Sequence, residues 1–359
     1  MSRTAKTTTT LRVETTVPYS SIQDLGRPGH LSQGITAGGV TDRTAYDEGR
    51  ALLDGTTTHT HACMEIYGMG GRYTVEGGPV RACLTGAAIP ATRDGTPLPN
   101  RTTFTLRPGE TLDLGVIRDG NIAYLSVGGG FDVPQVFSAR ATHLRAGIGG
   151  HHGRTLEAGD ILPIGPDSGD TIGLTLPENP ESSNRYDTPI RILPSTHTHL
   201  FSDETLARFL ATPFAVTHEM DRMGARLAFE GDPLEVADKT PIISESIVLG
   251  DIQIIGTGQP TVLLADRQPT GGYPRIACII SADIDRFAQL PPGTELRFEL
   301  VSHAESVAAL AAQQAWIASL PARRTRQVRD ITSLDNLLDT NLVSGAIASG
   351  DDLPWEVDT

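Results

Sequence analysis

The sequence predicts a mainly β protein with a few helices, arranged as two β-rich domains. Three observations carry this expectation. Short apolar runs alternate with turn residues throughout, and the 38 glycines and 24 prolines are scattered rather than clustered. One device recurs, as RPGETLDLG at 107–115, EAGDILPIG at 157–165 and PPGTELRFEL at 291–300. Each is a turn glycine, a polar residue and then period-two alternation, the pattern by which a solvent-facing strand enters a sheet or barrel. Between the two halves, PENPESSNRYDTP at 177–189 is polar, proline-containing and aperiodic, as a linker would be.

Taken in order, residues 1–10 form a Thr-rich leader expected to fray. The first domain, 11–185, opens with a strand over Leu11–Val17. A long loop follows, SIQDLGRPGHLSQGITAGGVTDR, holding Asp24, Arg27, His30, Asp42 and Arg43, and a loop of that length inside a compact domain points to function or disorder. A helix is expected from Thr41 as N-cap, with Asp42 in its first turn and Ala45, Leu52 and Leu53 on one face. The second domain, 186–320, starts with a strand at Ile190 and a short helix over Ser202–Leu210. Within it, the apolar run Thr261–Ala265 breaks into Asp266, Arg267, Gln268, Pro269, Thr270, Gly271, Gly272, Tyr273 and Pro274 before a second apolar run, Ile276–Ile280. This reads as strand, polar loop, strand. The loop is either a solvated hairpin connection or a ligand loop, because Gly271 and Gly272 allow positive φ and close backbone approach between an acid, a guanidinium and an aromatic ring. His303–Leu320 is the clearest helix, with Val307, Leu310, Ala311 and Ile317 on one face and Pro321 closing it. The tail, 321–359, contains a basic connector and one short amphipathic stretch, SLDNLLDTNL.

Composition excludes several classes of function. A net charge of -14 argues against a nucleic-acid surface, which needs clustered cations. Lys6 and Lys239 are the only lysines, and neither lies in a phosphate-binding P-loop or a biotin-carrier segment, so nearly every cation is an arginine suited to bidentate carboxylate or phosphate contacts. Cys63, Cys83 and Cys278 lack CxxC spacing and suit buried, reduced thiols of a cytoplasmic protein. No secretory signal or apolar run of membrane-spanning length is visible, so neither export nor membrane insertion is expected.

The chemistry-bearing clusters are individually weak. His59, His61 and Glu65 in HTHACME have a cupin-like metal spacing, but the remaining cupin signature is missing, and no metal is expected. His197 and His199 repeat HxH without a nearby carboxylate. GIGGHHGR at 147–154 precedes a strand rather than a helix, which fits a backbone-close loop better than a dinucleotide site. No GxSxG elbow occurs. What remains is a distributed set of Arg, Asp and Gly-rich loops: Asp24 to His30, Asp42 and Arg43, Arg140, Arg222 in DRMG, Glu245, Gln253, and the 266–273 loop. If these converge, they suit an anionic, hydrogen-bonding small ligand.

These same segments, SIQDLGRPGH, GGVTDR, GGGFDVPQVF followed by Arg140, GGHHGRTLEAGDILPIG, DRMGARL and GQPTVLLADRQPTGGYPRIACIISADIDRFAQLPPG, resemble the biotin-dependent carboxyltransferase family, also called the allophanate hydrolase subunit 2 family. It includes the C subunits of 5-oxoprolinases and the second half of the urea carboxylase carboxyltransferase domain. The likeness runs from about Val13 to about Ala304. It implies two cyclophilin-like β-barrel domains and a cytoplasmic partner, the subunit 1 homologue (the B subunit in 5-oxoprolinases), with a third catalytic subunit in some members. It further implies ATP-dependent opening of 5-oxoproline, carboxyl transfer to a urea-like amide, or a regulatory pairing with a kinase-inhibitor-like homologue, with ATP or biotin supplied by other chains. Under that resemblance Asp266, Arg267 and Gln268 are the candidate catalytic residues. Asp24, Arg27, Asp42, Arg43, Arg140, Arg222, Glu245, Gln253, Thr270, Gly271, Gly272 and Tyr273 are candidates for substrate binding. The general base stays open among Asp24, Asp42, Glu245 and Asp266. The chain has Ser138 and Ser246 where the family pattern carries glycine.

Overall fold

The computed structural model describes residues 8–16, 19–53, 61–179, 186–237 and 242–327. His59, both lysines, part of the linker segment and the amphipathic stretch of the tail lie outside the described residues.

Residues 10 to 163 build two antiparallel sheets. The six-stranded sheet runs Ile161–Pro163, Thr10–Thr15, Arg72–Glu76, Thr111–Leu114, Ala91–Arg93, Thr96–Leu98. The five-stranded sheet runs Ser21–Gln23, Cys63–Tyr67, Asp119–Val127, Val80–Ala88, Phe104–Leu106. Period-two alternation sends Leu11, Val13, Tyr73 and Leu112 of the first sheet and Met64, Leu84, Ala123 and Leu125 of the second into one shared core. The opposite face of the second sheet carries Cys63, Cys83 and Tyr124, which pack against helix α1 (Arg43–Leu53).

Residues 190 to 300 form an eight-stranded sheet in the order Glu295–Leu296, Phe214–Met220, Gly224–Ala228, Pro260–Leu263, Asp251–Ile254, Arg275–Ile279, Ile190–Pro194, Phe298–Leu300. Its two edge strands are consecutive in sequence, separated only by Arg297, so the sheet must curl back on itself into a nearly closed barrel. Ile192, Phe214, Leu227, Ile252, Val262 and Phe287 fill its interior. This mainly β architecture agrees with the sequence. The glycines of the recurring device, Gly109, Gly159 and Gly293, all have positive φ, at 86, 95 and 90°, which is why each turn uses glycine.

Several local expectations change. Pro260–Leu263 and Arg275–Ile279 are not a hairpin, because each pairs with Asp251–Ile254 between them. The polar loop therefore crosses over that strand. The α1 N-cap is Asp42, whose Oδ1 accepts from the Ala45 N–H at 2.9 Å, and not Thr41, whose hydroxyl is engaged with Glu65. The helix is buried on nearly every side, since α4 (His303–Arg323) packs over it; the short helices between them are α2 (Asp203–Ala211) and α3 (Ile284–Ala288). Helix α4 begins in a Ser302–Glu305 capping box and runs through Pro321 to Arg323. Its inner face overlaps the one the apolar periodicity marks only in part: Leu310 and Ile317 are half-buried, but Val307 and Ala311 are exposed, while Gln313 turns inward to donate to Thr44 Oγ1 and Asp285 Oδ2. Polar partners on α1 and α3 meet this face beside the buried Leu320, and hydrophobic spacing cannot register the polar part.

The α1 N-terminus joins the two parts of the fold. Asp285 accepts from the backbone N–H groups of Arg43 (3.1 Å) and Thr44 (2.9 Å), satisfying donors that a helix start leaves open. Gln289 donates to Asp42 Oδ2 (2.7 Å) and to the Ile122 carbonyl (2.9 Å), and its Oε1 accepts from the Asn121 and Ile122 amides. Burial pushes the Asp42 carboxyl well above its ordinary range, and the nearby Asp285 carboxylate adds to that. Replacing Gln289 with Ala strands buried groups on both sides of this contact. The expected loss is about 2–4 kcal/mol, read as a lowered midpoint in urea unfolding.

Candidate functional site

The site is built around Arg222, on the turn before strand Gly224–Ala228 and 5 % exposed. Its Nε and Nη2 form a bidentate pair with Asp266, both at 3.0 Å. Nη1 donates to Thr41 Oγ1 (3.1 Å) and to Glu65, and Nη2 also donates to the Gly39 carbonyl (2.6 Å). All five donors of the guanidinium are thereby used within the protein. Burial alone would lower the Arg222 pKa, but Glu65 and Asp266 on either side raise it well above the ordinary arginine value.

Glu65 is fully buried on strand Cys63–Tyr67 and also accepts from the Thr41 N–H (2.8 Å) and the Tyr124 hydroxyl (2.7 Å). Burial, reinforced by Glu65, holds the Tyr67 and Tyr124 hydroxyls well above their ordinary range, so both stay protonated donors. Glu65 therefore serves as the counter-ion of Arg222. Of the HTHACME trio, His59 lies outside the described residues, while the Glu65 carboxylate is engaged by Arg222, Thr41 and Tyr124.

Two adjoining cavities open over this floor. One, of about 460 Å³, is lined by Arg222, Asp266, Tyr67, Asn121, Leu144 and Arg145. The other, of about 490 Å³, is lined by Gln253, Arg267, Gln268, Tyr273 and Arg226. Tyr19, Met220, Asp221 and Met223 belong to both. Tyr19 has φ 87°, a conformation rare for a bulky residue, and is 60 % exposed where the cavities meet.

The second cavity holds the polar groups left over for a ligand. Gln253 is 4 % exposed, and its buried Nε2 has no hydrogen-bond partner. Arg267 donates from Nε to the Ile247 carbonyl (3.3 Å) and has no carboxylate ion pair among the described residues. Burial lowers its pKa, which Asp251 partly offsets. Gly271 and Gly272 do not have positive φ; Gly271 matters through close approach, since a Cβ there would lie 2.8 Å from Gln253 Nε2. Thr270–Gly271 pairs with Glu245–Ser246 as a two-stranded ladder, which fixes the far end of the loop.

The structure thus brings together Arg222, Asp266, Arg267, Gln268, Gln253 and Tyr273. Other candidates fall elsewhere. Asp24 is buried and accepts from the amides of Gly26, Arg140 and Ala141, a loop-fixing role. Arg27, 1 % exposed, donates to the Ala141 and Val136 carbonyls behind the site. Asp42 caps α1, Arg43 lies beside Asp47, and Arg140 pairs with Asp132 at 2.7 Å. Glu245 joins a separate cluster, where His197 Nε2 lies 3.1 Å from its carboxylate and Arg275 pairs with both Glu245 and Asp251. His197 therefore does have a carboxylate, delivered from far along the chain by the Glu245–Ser246 ladder. Ser138, in place of a family glycine, still adopts φ 62°. The sequence reading did not single out Tyr67, gave Thr41 only as an N-cap, and named Glu65 only within a metal spacing that it set aside. A carboxylate in an apolar strand is the signal that asks for a buried cation.

A family model described as "Carboxyltransferase domain, subdomain A and B" matches residues 33–300. The chain is 33 % identical over 302 residues to the C subunit of the 5-oxoprolinase of Escherichia coli (strain K12), covering 84 % of this chain and 94 % of that protein. It is 26 % identical over 342 residues to the urea amidolyase of Saccharomyces cerevisiae, covering 90 % of this chain but 18 % of that much longer protein. The Kluyveromyces lactis urea carboxylase structure shares the fold, with a TM-score of 0.78 at 22 % identity, over 88 % of this chain and 29 % of the other.

Changing Arg222 to Met leaves Glu65 and Asp266 buried without a counter-charge. This is expected to cost roughly 3–5 kcal/mol, measurable as a loss of urea stability.

Proposed function

The chain belongs to the carboxyltransferase family with subdomains A and B, and from that premise we propose that it is one subunit of a heteromeric enzyme acting on a small amide, lactam or urea-like substrate. The 5-oxoprolinase type is the favoured member. Gln253 carries this reading. Its side-chain amide offers a donor and an acceptor side by side, and it lies buried, with Nε2 unpartnered, in the cavity wall. The cis amide of a lactam, or a urea, presents the complementary acceptor and donor.

Around that contact, Arg267 has donors available for a substrate carboxylate, and Gln268 and Tyr273 form the adjoining wall. Asp266 aligns Arg222 instead of presenting a free base, because Arg222 contacts both of its oxygens. Catalysis on this reading rests on positioning and charge stabilisation, with the chemistry completed by other subunits. We place ATP use, any biotin, the subunit 1 homologue and a third catalytic subunit in that complex, and its location in the cytoplasm. No helix among the described residues is long and apolar enough to cross a membrane.

The test is co-purification with the subunit 1 homologue, followed by ATP-dependent conversion of 5-oxoproline to glutamate once the third subunit is added. Arg267→Ala and Gln253→Leu should each raise KM about 10- to 100-fold, the scale of one lost charge-assisted or buried hydrogen bond. Normal turnover by the Asp266→Ala/Arg267→Ala double variant would refute the site. A complex that forms but turns over neither 5-oxoproline nor urea would favour a regulatory role for this chain.

A further inference from the structure

We propose that His143 is a positioning residue which ties together two walls of the cleft, and that acid releases the one it caps, the Leu144–Ala146 turn. His143 is 4 % exposed and caps the short helical turn Leu144–Ala146, its Nδ1 accepting from the Ala146 N–H at 3.3 Å. With Nδ1 accepting, the ring proton sits on Nε2. Nε2–H therefore donates to Thr36 Oγ1 at 2.9 Å, and the Thr36 hydroxyl donates onward to the Arg267 carbonyl at 3.3 Å. One imidazole thus holds the turn carrying Leu144 and Arg145, which line the first cavity, and the loop carrying Arg267 and Gln268, which line the second.

The surroundings make this arrangement sensitive to protonation. The charged groups facing the ring are Asp266, Arg27 and Arg222. Asp266, Arg27 and the ring itself meet around Gly38, where a Cβ would lie 3.3 Å from Asp266 Oδ1, 3.6 Å from Arg27 Nη1 and 3.8 Å from His143 Cδ2. A second ring proton would put an N–H at Nδ1 against the Ala146 N–H, abolishing the cap. It would also add a cation beside two arginines, with one carboxylate opposing. Burial holds His143 below the ordinary histidine range, and Arg27 and Arg222 add to this while Asp266 opposes it. The neutral form therefore persists through neutral pH. The folded state loses its advantage as pH falls below the unfolded histidine value of about 6.5.

This inference rests on the preceding reading only in taking the cleft as the ligand site. Its test is amide hydrogen exchange by mass spectrometry on the ligand-free chain, so it stands or falls separately from turnover. Exchange is followed in peptides covering 144–147 and 266–272 from pH 8 to pH 5, corrected for intrinsic rates. In the native chain, protection of 144–147 should fall as the pH drops, while 266–272, whose Thr36 link needs only the Nε2 proton, keeps its protection. His143→Ala should lower protection of both on the order of tenfold at pH 8, the scale of one hydrogen bond, and Thr36→Val should lower only 266–272. His143→Asn, a good N-cap, should restore 144–147 alone, whereas the longer His143→Gln should restore 266–272 alone, both without pH dependence. Unchanged 266–272 protection in Thr36→Val, or the native pH dependence persisting in His143→Gln, would overturn the proposal.

Discussion

The structure depends on one buried guanidinium. Arg222 comes from the eight-stranded sheet, and its partners come from three places: Glu65 from the five-stranded sheet, Thr41 and Gly39 from the loop before α1, and Asp266 from the crossover loop. Burying a charge this deeply is favourable only when every donor is met and opposite charge is close. Each of those segments is therefore held where Arg222 requires it. The cleft lies over this cluster because Arg222 and Asp266 form part of its lining.

The same requirement separates groups that hold the site from groups free to meet a ligand. Arg222 and Asp24 spend their polar atoms on the chain itself. Gln253 and Arg267 do not, and they lie in the same cavity wall. A reader of the sequence sees five plausible arginines and cannot rank them. What ranks them is which donors remain in a cavity wall after the loops have closed.

Much of the fold was legible in the sequence because strand alternation and turn glycines are local. Leu11 and Val13 announce their inward face, and Gly109, Gly159 and Gly293 mark turns that need positive φ. The polar loop at 266–273 was legible as a candidate site for the same reason, an abrupt change from apolar run to charged and glycine-rich residues. Its neighbours were not. Glu65 was not legible as a counter-ion because the arginine that neutralises it lies 157 residues further along the chain. His197 looked unpartnered because its carboxylate, Glu245, arrives from beyond two intervening strands.

By itself, then, the sequence determined the element types, the family likeness and the candidate ligand loop, all of which depend on residues close together in the chain. The tertiary structure decided the topology, with the loop crossing a central strand instead of turning a hairpin, and the inward face of α4. It also decided which charges neutralise one another. The physical reason is that burial makes each polar group's role depend on partners brought from elsewhere, and those partners carry no local signature in the sequence.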